Sequence, residues 1–164
     1  MTRSLSPARL AEATLAEQAP HLVPGFLASL PAAADNVGRK LRGALTREGI
    51  RDMGPGVRHG FGRVEYPSSG AGDPVELLGE SGIDAPGFAA ELRDAVMNLA
   101  IAMARPVPAV GNDPDWQAIG LERLAVAGHN LHPCGRTRLG WSTEDVLAYD
   151  LETETTKLGF VAVP

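Results

Sequence analysis

Apolar residues recur along this chain mainly at intervals of three and four, which predicts helices more than strands. The clearest case is the stretch Pro86 to Ala104, where Phe88, Leu92, Ala95, Val96, Leu99 and Met103 form one broad stripe closed by Arg105-Pro106. A second stripe, Ala34, Val37, Leu41 and Leu45, predicts a helix from Pro31 to Glu48 that stops at Gly49. Gly38 and Gly43 fall inside it, at a cost of about 1 kcal/mol each against alanine. Ser6-Pro7 pairs an N-cap residue with proline at the first helical position, which opens a helix to about Gln18 with Leu10, Ala11 and Leu15 on one face. Asp113-Pro114 repeats that signal and opens a helix through about Ala125, with Trp116, Ile119, Gly120, Arg123 and Leu124 on one side. Packing of this helix against Pro86–Ala104 is expected to place the residues that follow it.

Strand signals are few. Val57 to Tyr66 reads as a strand or hairpin arm in a glycine- and proline-broken region, with Arg58 and His59 on it. Leu158 to Val163 is a continuous apolar run of the kind a buried strand shows. The fold class expected is therefore α+β, largely helical with a small strand component. The 158–163 run has no partner strand after it, so the chain reads as an incomplete part of a larger fold. It is expected to expose apolar surface and self-associate, with a homo-oligomer as one outcome.

Composition narrows the function classes. A formal net charge of −5 argues against general nucleic-acid binding, which requires a basic face. Arg39, Lys40, Arg42 and Arg47 lie mostly off the helical stripe and read as a solvated basic face. One cysteine excludes an internal disulfide and fits a reducing compartment. No apolar run is long enough for a signal peptide or membrane span, so a cytoplasmic chain without a membrane partner is expected.

The window Gly128 to Ser142 concentrates the candidate chemistry: His129, His132, Cys134, Arg136 and Arg138, broken by Gly128, Pro133, Gly135 and Gly140. Those breakers predict a loop. In an extended loop Arg136 and Arg138 point to one side. Two adjacent guanidiniums repel unless an anion lies between them, and their forked donors suit carboxylate or phosphate oxygens. Ser142 and Asp145 have capping-box spacing, which opens a helix over Thr143 to Tyr149. The loop therefore reads as an anion cradle for phosphate. The competing reading pairs the arginines with nearby Asp and Glu side chains. As a metal site, His129, His132 and Cys134 are one ligand short, so no zinc is expected. Cys134 has no carboxylate-oriented histidine at an obvious spacing to make it a nucleophile.

This run resembles the signature loop of the NRPS-independent siderophore synthetases, the aerobactin-synthetase type of the IucA/IucC family. That loop is written Gly-His-Pro-x-His-Pro-x-x-Lys-x-Arg-x-Gly, followed by an aromatic residue, Ser and a Tyr-containing helix. Gly128, His129, His132, Pro133, Arg138, Gly140, Trp141, Ser142 and Tyr149 stand at matching places. Asn130 replaces a proline and Arg136 a lysine, and the likeness continues through Tyr149 to Val163.

The resemblance implies that residues 1–164 are the N-terminal nucleotide-cleft part of a longer ATP-dependent ligase. Such an enzyme adenylates a carboxylate of citrate or a related acid and condenses it with an amine or hydroxyl. It implies ATP and Mg²⁺ as cofactors. His129 and Arg136 would meet the phosphates, His132 and Arg138 would support the loop or add a donor, and Ser142 would cap the next helix. No residue is assigned to the chemical step itself. The alternatives are a non-catalytic nucleotide-binding or pairing module from a truncated or split gene, and a small metal-binding protein.

Overall fold

The computed structural model describes residues 6–68, 72–106, 113–153 and 155–161, with the side chains of Asp115, Trp116 and Ile119 outside that description. Two long helices form its axis. Helix α1 covers Pro7–Gln18, and a 3-10 turn at Pro20–Leu22 leads directly into α2, Val23–Arg47. A hairpin of β1, Val57–Arg58, and β2, Val64–Glu65, precedes α3, Pro74–Glu80, and α4, Pro86–Ala104. Helices α5, Pro114–Leu124, and α6, Thr143–Tyr149, flank the glycine-rich loop. The class is α+β, mostly helical with one small antiparallel sheet, as the pattern predicts.

The core lies between α2 and α4. Phe26, Ala33, Val37, Leu41 and Leu45 of α2 face Leu92, Ala95, Leu99 and Ile101 of α4, with Ala11 and Leu15 of α1 and Leu77 and Leu78 of α3 closing the sides. Each fully buried leucine or phenylalanine contributes about 1.5–3 kcal/mol by leaving water. Gly25 lets the backbones approach: a methyl group there would meet Ala104 Cβ at 3.2 Å.

Several boundaries differ from the pattern's prediction. Helix α2 starts at Val23, not Pro31, because Pro24 takes the first-turn place and the 3-10 turn feeds it. Pro31 sits inside the helix. Leu27 and Pro31 both lie at the surface, where water can serve the carbonyl that the ring leaves unpaired. Leu10 and Met103 prove exposed, and Ala33 takes the inward place expected of Ala34. Helix α3 has the same signal as α1 and α5, Asp73-Pro74, and Asp73 caps it by accepting from Val75 N–H at 2.8 Å.

The expected strand at 57–66 is a complete hairpin, Val57 opposite Glu65 and Arg58 opposite Val64, turned at Gly60–Gly62. It packs on α2 because Gly43 leaves room; a methyl there would meet Val64 O at 3.0 Å. The apolar run at 158–163 forms no strand over its described part. Leu158, Phe160 and Val161 are exposed coil, while Ala162 and Val163 lie outside the described residues. Nothing among the described residues pairs with this run as a strand. No helix among the described residues is long and apolar enough to cross a membrane.

The α2–α4 seam should carry most of the stability. Leu92, with no exposed surface, cannot be truncated without leaving a cavity. Leu92→Ala should lower unfolding free energy by about 2–5 kcal/mol in urea denaturation. Leu10→Ala, on the exposed side of α1, should change it by under about 0.5 kcal/mol.

Candidate functional site

The loop between α5 and α6 is folded back on itself by two glycines. Gly128 has φ +67°, and a methyl there would meet Gly135 O at 3.1 Å. A methyl on Gly135 would meet the His129 amide nitrogen at 2.9 Å. Only hydrogen fits on either side of this crossing.

Helix α4 pins the crossing from beneath. Asp94 Oδ2 accepts from the Arg138 amide at 2.6 Å and from Asn98 Nδ2 at 3.0 Å. Asn98 Nδ2 also donates to Arg136 O at 3.1 Å, and Thr137 Oγ1 donates to Glu91 O at 3.2 Å. Glu91, Asp94 and Asn98 lie one turn apart along α4, so a single polar edge beside its apolar stripe holds three successive loop residues. Burial raises the Asp94 carboxyl above the usual range, although the Arg138 amide, the Arg138 charge and Asn98 all pull the other way. From α2, Lys40 donates to Ala127 O. The loop thus hangs directly on α2 and α4; α5 joins through Arg123, which donates to Thr153 O at 2.8 Å. Of the α5 face expected to set the loop, Trp116 and Ile119 lie outside the described side chains, and Leu124 is exposed.

Arg136 and Arg138 do point to one side, and the anion between them belongs to the chain. Arg136 is 3% exposed; its Nη2 donates to both Glu152 carboxylate oxygens at 2.8 Å and to Asp150 Oδ2 at 3.3 Å. Arg138 reaches Asp150 Oδ1 through Nη2 at 2.9 Å and Nε at 3.3 Å. Asp150, itself buried, also accepts from the Leu151 amide. The open cradle expected for this arginine pair is thus filled by carboxylates two residues apart, matching arginines two residues apart. Among the described residues, the buried Arg136 Nε meets no acceptor. Arg105 extends the cluster, donating to Thr153 Oγ1 at 3.1 Å and to the carbonyls of Val146 and Leu147 at 3.2 Å. Asp94, Asn98, Asp150, Glu152 and Arg105 all escaped the sequence reading; their signals are the i, i+4 polar pair on a helix and the matched charge spacing.

His129 and His132 remain exposed above this base. His129 Nδ1 accepts from the Leu131 amide at 3.2 Å, and His132 Nδ1 accepts from the Cys134 amide at 3.1 Å. An imidazole that accepts at Nδ1 carries its proton on Nε2, so each ring offers one outward donor. Ser142 caps α6 as its spacing predicts: Ser142 Oγ accepts from Asp145 N–H at 3.2 Å, and the Ser142 amide donates to Asp145 Oδ2 at 2.8 Å. The Ser142 amide and, at 2.8 Å, its hydroxyl both donate to Asp145 Oδ2 and hold that carboxyl below its ordinary range. Trp141, just before α6, and Tyr149, its last residue, meet edge to face at 6.3 Å.

Cys134 turns into the core, and burial pushes its thiol up to about 11. It is a packing residue, not a nucleophile. Among the described residues, no group of three or more His, Cys, Asp or Glu side chains is arranged to hold a metal ion.

Residues 117–164 match the model of the IucA / IucC family. No curated protein and no solved structure matches the chain.

Two expectations follow from the buried charges and the thiol. Arg136→Ala would leave Glu152 buried without its cation and Asp150 with Arg138 alone, at a cost of about 3–5 kcal/mol in denaturant unfolding. Because the Cys134 thiol ionises in the unfolded chain near 9 and in the folded chain near about 11, its contribution to stability is intact below pH 9 and falls as pH rises through that window. Cys134→Ala should flatten this alkaline loss, and maleimide should label folded wild-type protein far more slowly than urea-unfolded protein at pH 8.

Proposed function

We propose that this chain, whose residues 117–164 belong to the IucA / IucC family, is the nucleotide-cleft part of a siderophore synthetase, a ligase. In the finer reading, ATP and a citrate-like carboxylic acid form an acyl-adenylate, which an amine or hydroxyl then attacks. The observation that carries this is the pair of Nε2 donors of His129 and His132, set by backbone bonds at Nδ1 in a loop anchored by the buried Arg136–Glu152 ion pair. Donors that need no reorganisation stabilise charge growing on phosphoryl oxygens during in-line attack.

Arg136 and Arg138 serve this reading by position. Their two charges are balanced by those of Asp150 and Glu152, and direct phosphate contact falls first to His129, then His132. Ser142 fixes the start of α6 and with it the exit of the loop. The loop's nearest carboxylates are engaged by arginines, so Mg²⁺ in this account arrives with the nucleotide and supplies charge neutralisation there.

Citrate-dependent exchange of pyrophosphate into ATP tests the reading, assayed with this chain as part of the longer ligase, since the chain alone is expected to be inactive. His129→Ala, which removes an exposed ring, should lower exchange about tenfold while leaving the unfolding midpoint unchanged. His132→Ala should have a smaller effect. Exchange within about twofold of wild type in the folded His129→Ala protein would contradict the assignment.

A further inference from the structure

A second polar cavity lies between α2, the hairpin and residues Ala127, Asn130 and Leu131. It encloses about 130 Å³, room for one tetrahedral oxyanion but not for a nucleoside. Four cationic side chains face it, Arg39, Lys40 and Arg47 from α2 and Arg63 from the hairpin, against the single carboxylate of Glu65. This is the basic face that the sequence pattern left to solvent.

Its charges are brought together by packing. Gly43 admits the hairpin backbone, and the Arg42 guanidinium stacks 4.4 Å over the Tyr66 ring. Tyr66 is buried and shares a 2.7 Å hydrogen bond with Thr46. Arg63 is thereby held across the cavity from Arg39 and Arg47. Asp35 lies 3.0 Å from Arg39 Nε, and Glu48 lies 3.2 Å from Arg47 Nε. With those two carboxylates counted beside Glu65, positive charge still exceeds negative among these seven side chains. Lys40 feels the excess: burial first, then the Arg39 and Arg136 charges, lower its ammonium below the ordinary lysine range. Glu65 stands as the internal substitute for a ligand, 2.8 Å from Arg63 Nη2 and 3.0 Å from His59 Nε2.

We propose that this cavity is an oxyanion site that takes a phosphate group, held by Arg39, Lys40, Arg47 and Arg63 in competition with Glu65. The chemistry suits free phosphate or pyrophosphate and equally the terminal phosphate of a nucleotide. The site rests on its own geometry, separate from any role of His129 in adenylation.

The test is titration of the chain with inorganic phosphate at constant ionic strength, followed by amide chemical shifts of Arg63, Glu65 and Asn130, with chloride as the control. Wild type should show one saturable phosphate site that chloride does not reproduce. Arg63→Gln should weaken binding about fivefold, and Glu65→Gln, which removes the competing carboxylate, should tighten it about fivefold. That gain is a result that a merely structural role for Glu65 would not give. Competition by ATP would assign the group to a nucleotide; lack of competition, with pyrophosphate still competing, would assign it to the free anion. Absence of saturable binding would overturn the proposal, as would equal shifts with chloride or a folded Glu65→Gln protein that binds phosphate no better than wild type.

Discussion

Two arginines sharing two buried carboxylates hold the functional end of this molecule together. Arg136 and Arg138 converge on Asp150, and Arg136 also takes Glu152 through both of its oxygens. Such a cluster does not add much net stability over an apolar equivalent, because each charge must first be stripped of water. What it imposes is register. The loop and the segment after α6 can meet in only one alignment that leaves no carboxylate or guanidinium buried alone. That alignment carries α6, the Ser142 cap and the exposed histidines with it.

The cluster in turn depends on α4. Its apolar stripe belongs to the core, while its polar edge, Asp94 and Asn98, ties down the loop backbone at Arg136 and Arg138. One helix thus serves packing and positioning at once. Helix α2 has the same double character: its inward residues pair with α4, and its basic residues reach the loop at Ala127 and face the hairpin across a small cavity. The loop is suspended between two anion-seeking surfaces. One is satisfied by Asp150 and Glu152, and on the other Asp35, Glu48 and Glu65 each pair with an arginine.

Periodicity made α1, α4, α5 and α6 legible in the sequence, because each combines a stripe or short run with a cap or proline at its start. It misplaced the start of α2, since an internal proline at an exposed position is tolerated where Pro24 already opens the helix. Over 158–161 the apolar run is exposed coil: continuous hydrophobicity suits a buried strand, but a strand needs a neighbour to bond, and the described residues pair none with it. Of the two readings that the loop's composition offered, the structure shows the pairing of the arginines with nearby carboxylates. What spacing could not reveal was that the anions lie at Asp150 and Glu152, because a pairing across a turn and a helix is a property of the folded chain. Gly43 shows the same limit: a helix-weakening residue by propensity, it is the place where the hairpin docks.

The central claim is that the loop presents its histidines as fixed Nε2 donors to phosphate. Long-range proton–nitrogen correlation spectra of the imidazoles, recorded with and without ATP and Mg²⁺, examine it most directly. The account predicts the Nε2-protonated tautomer for both His129 and His132 in the free chain, and a change in the His129 Nε2 shift on adding nucleotide while its Nδ1 shift holds. A proton on Nδ1 of His129, or an imidazole unmoved by saturating nucleotide, would contradict it.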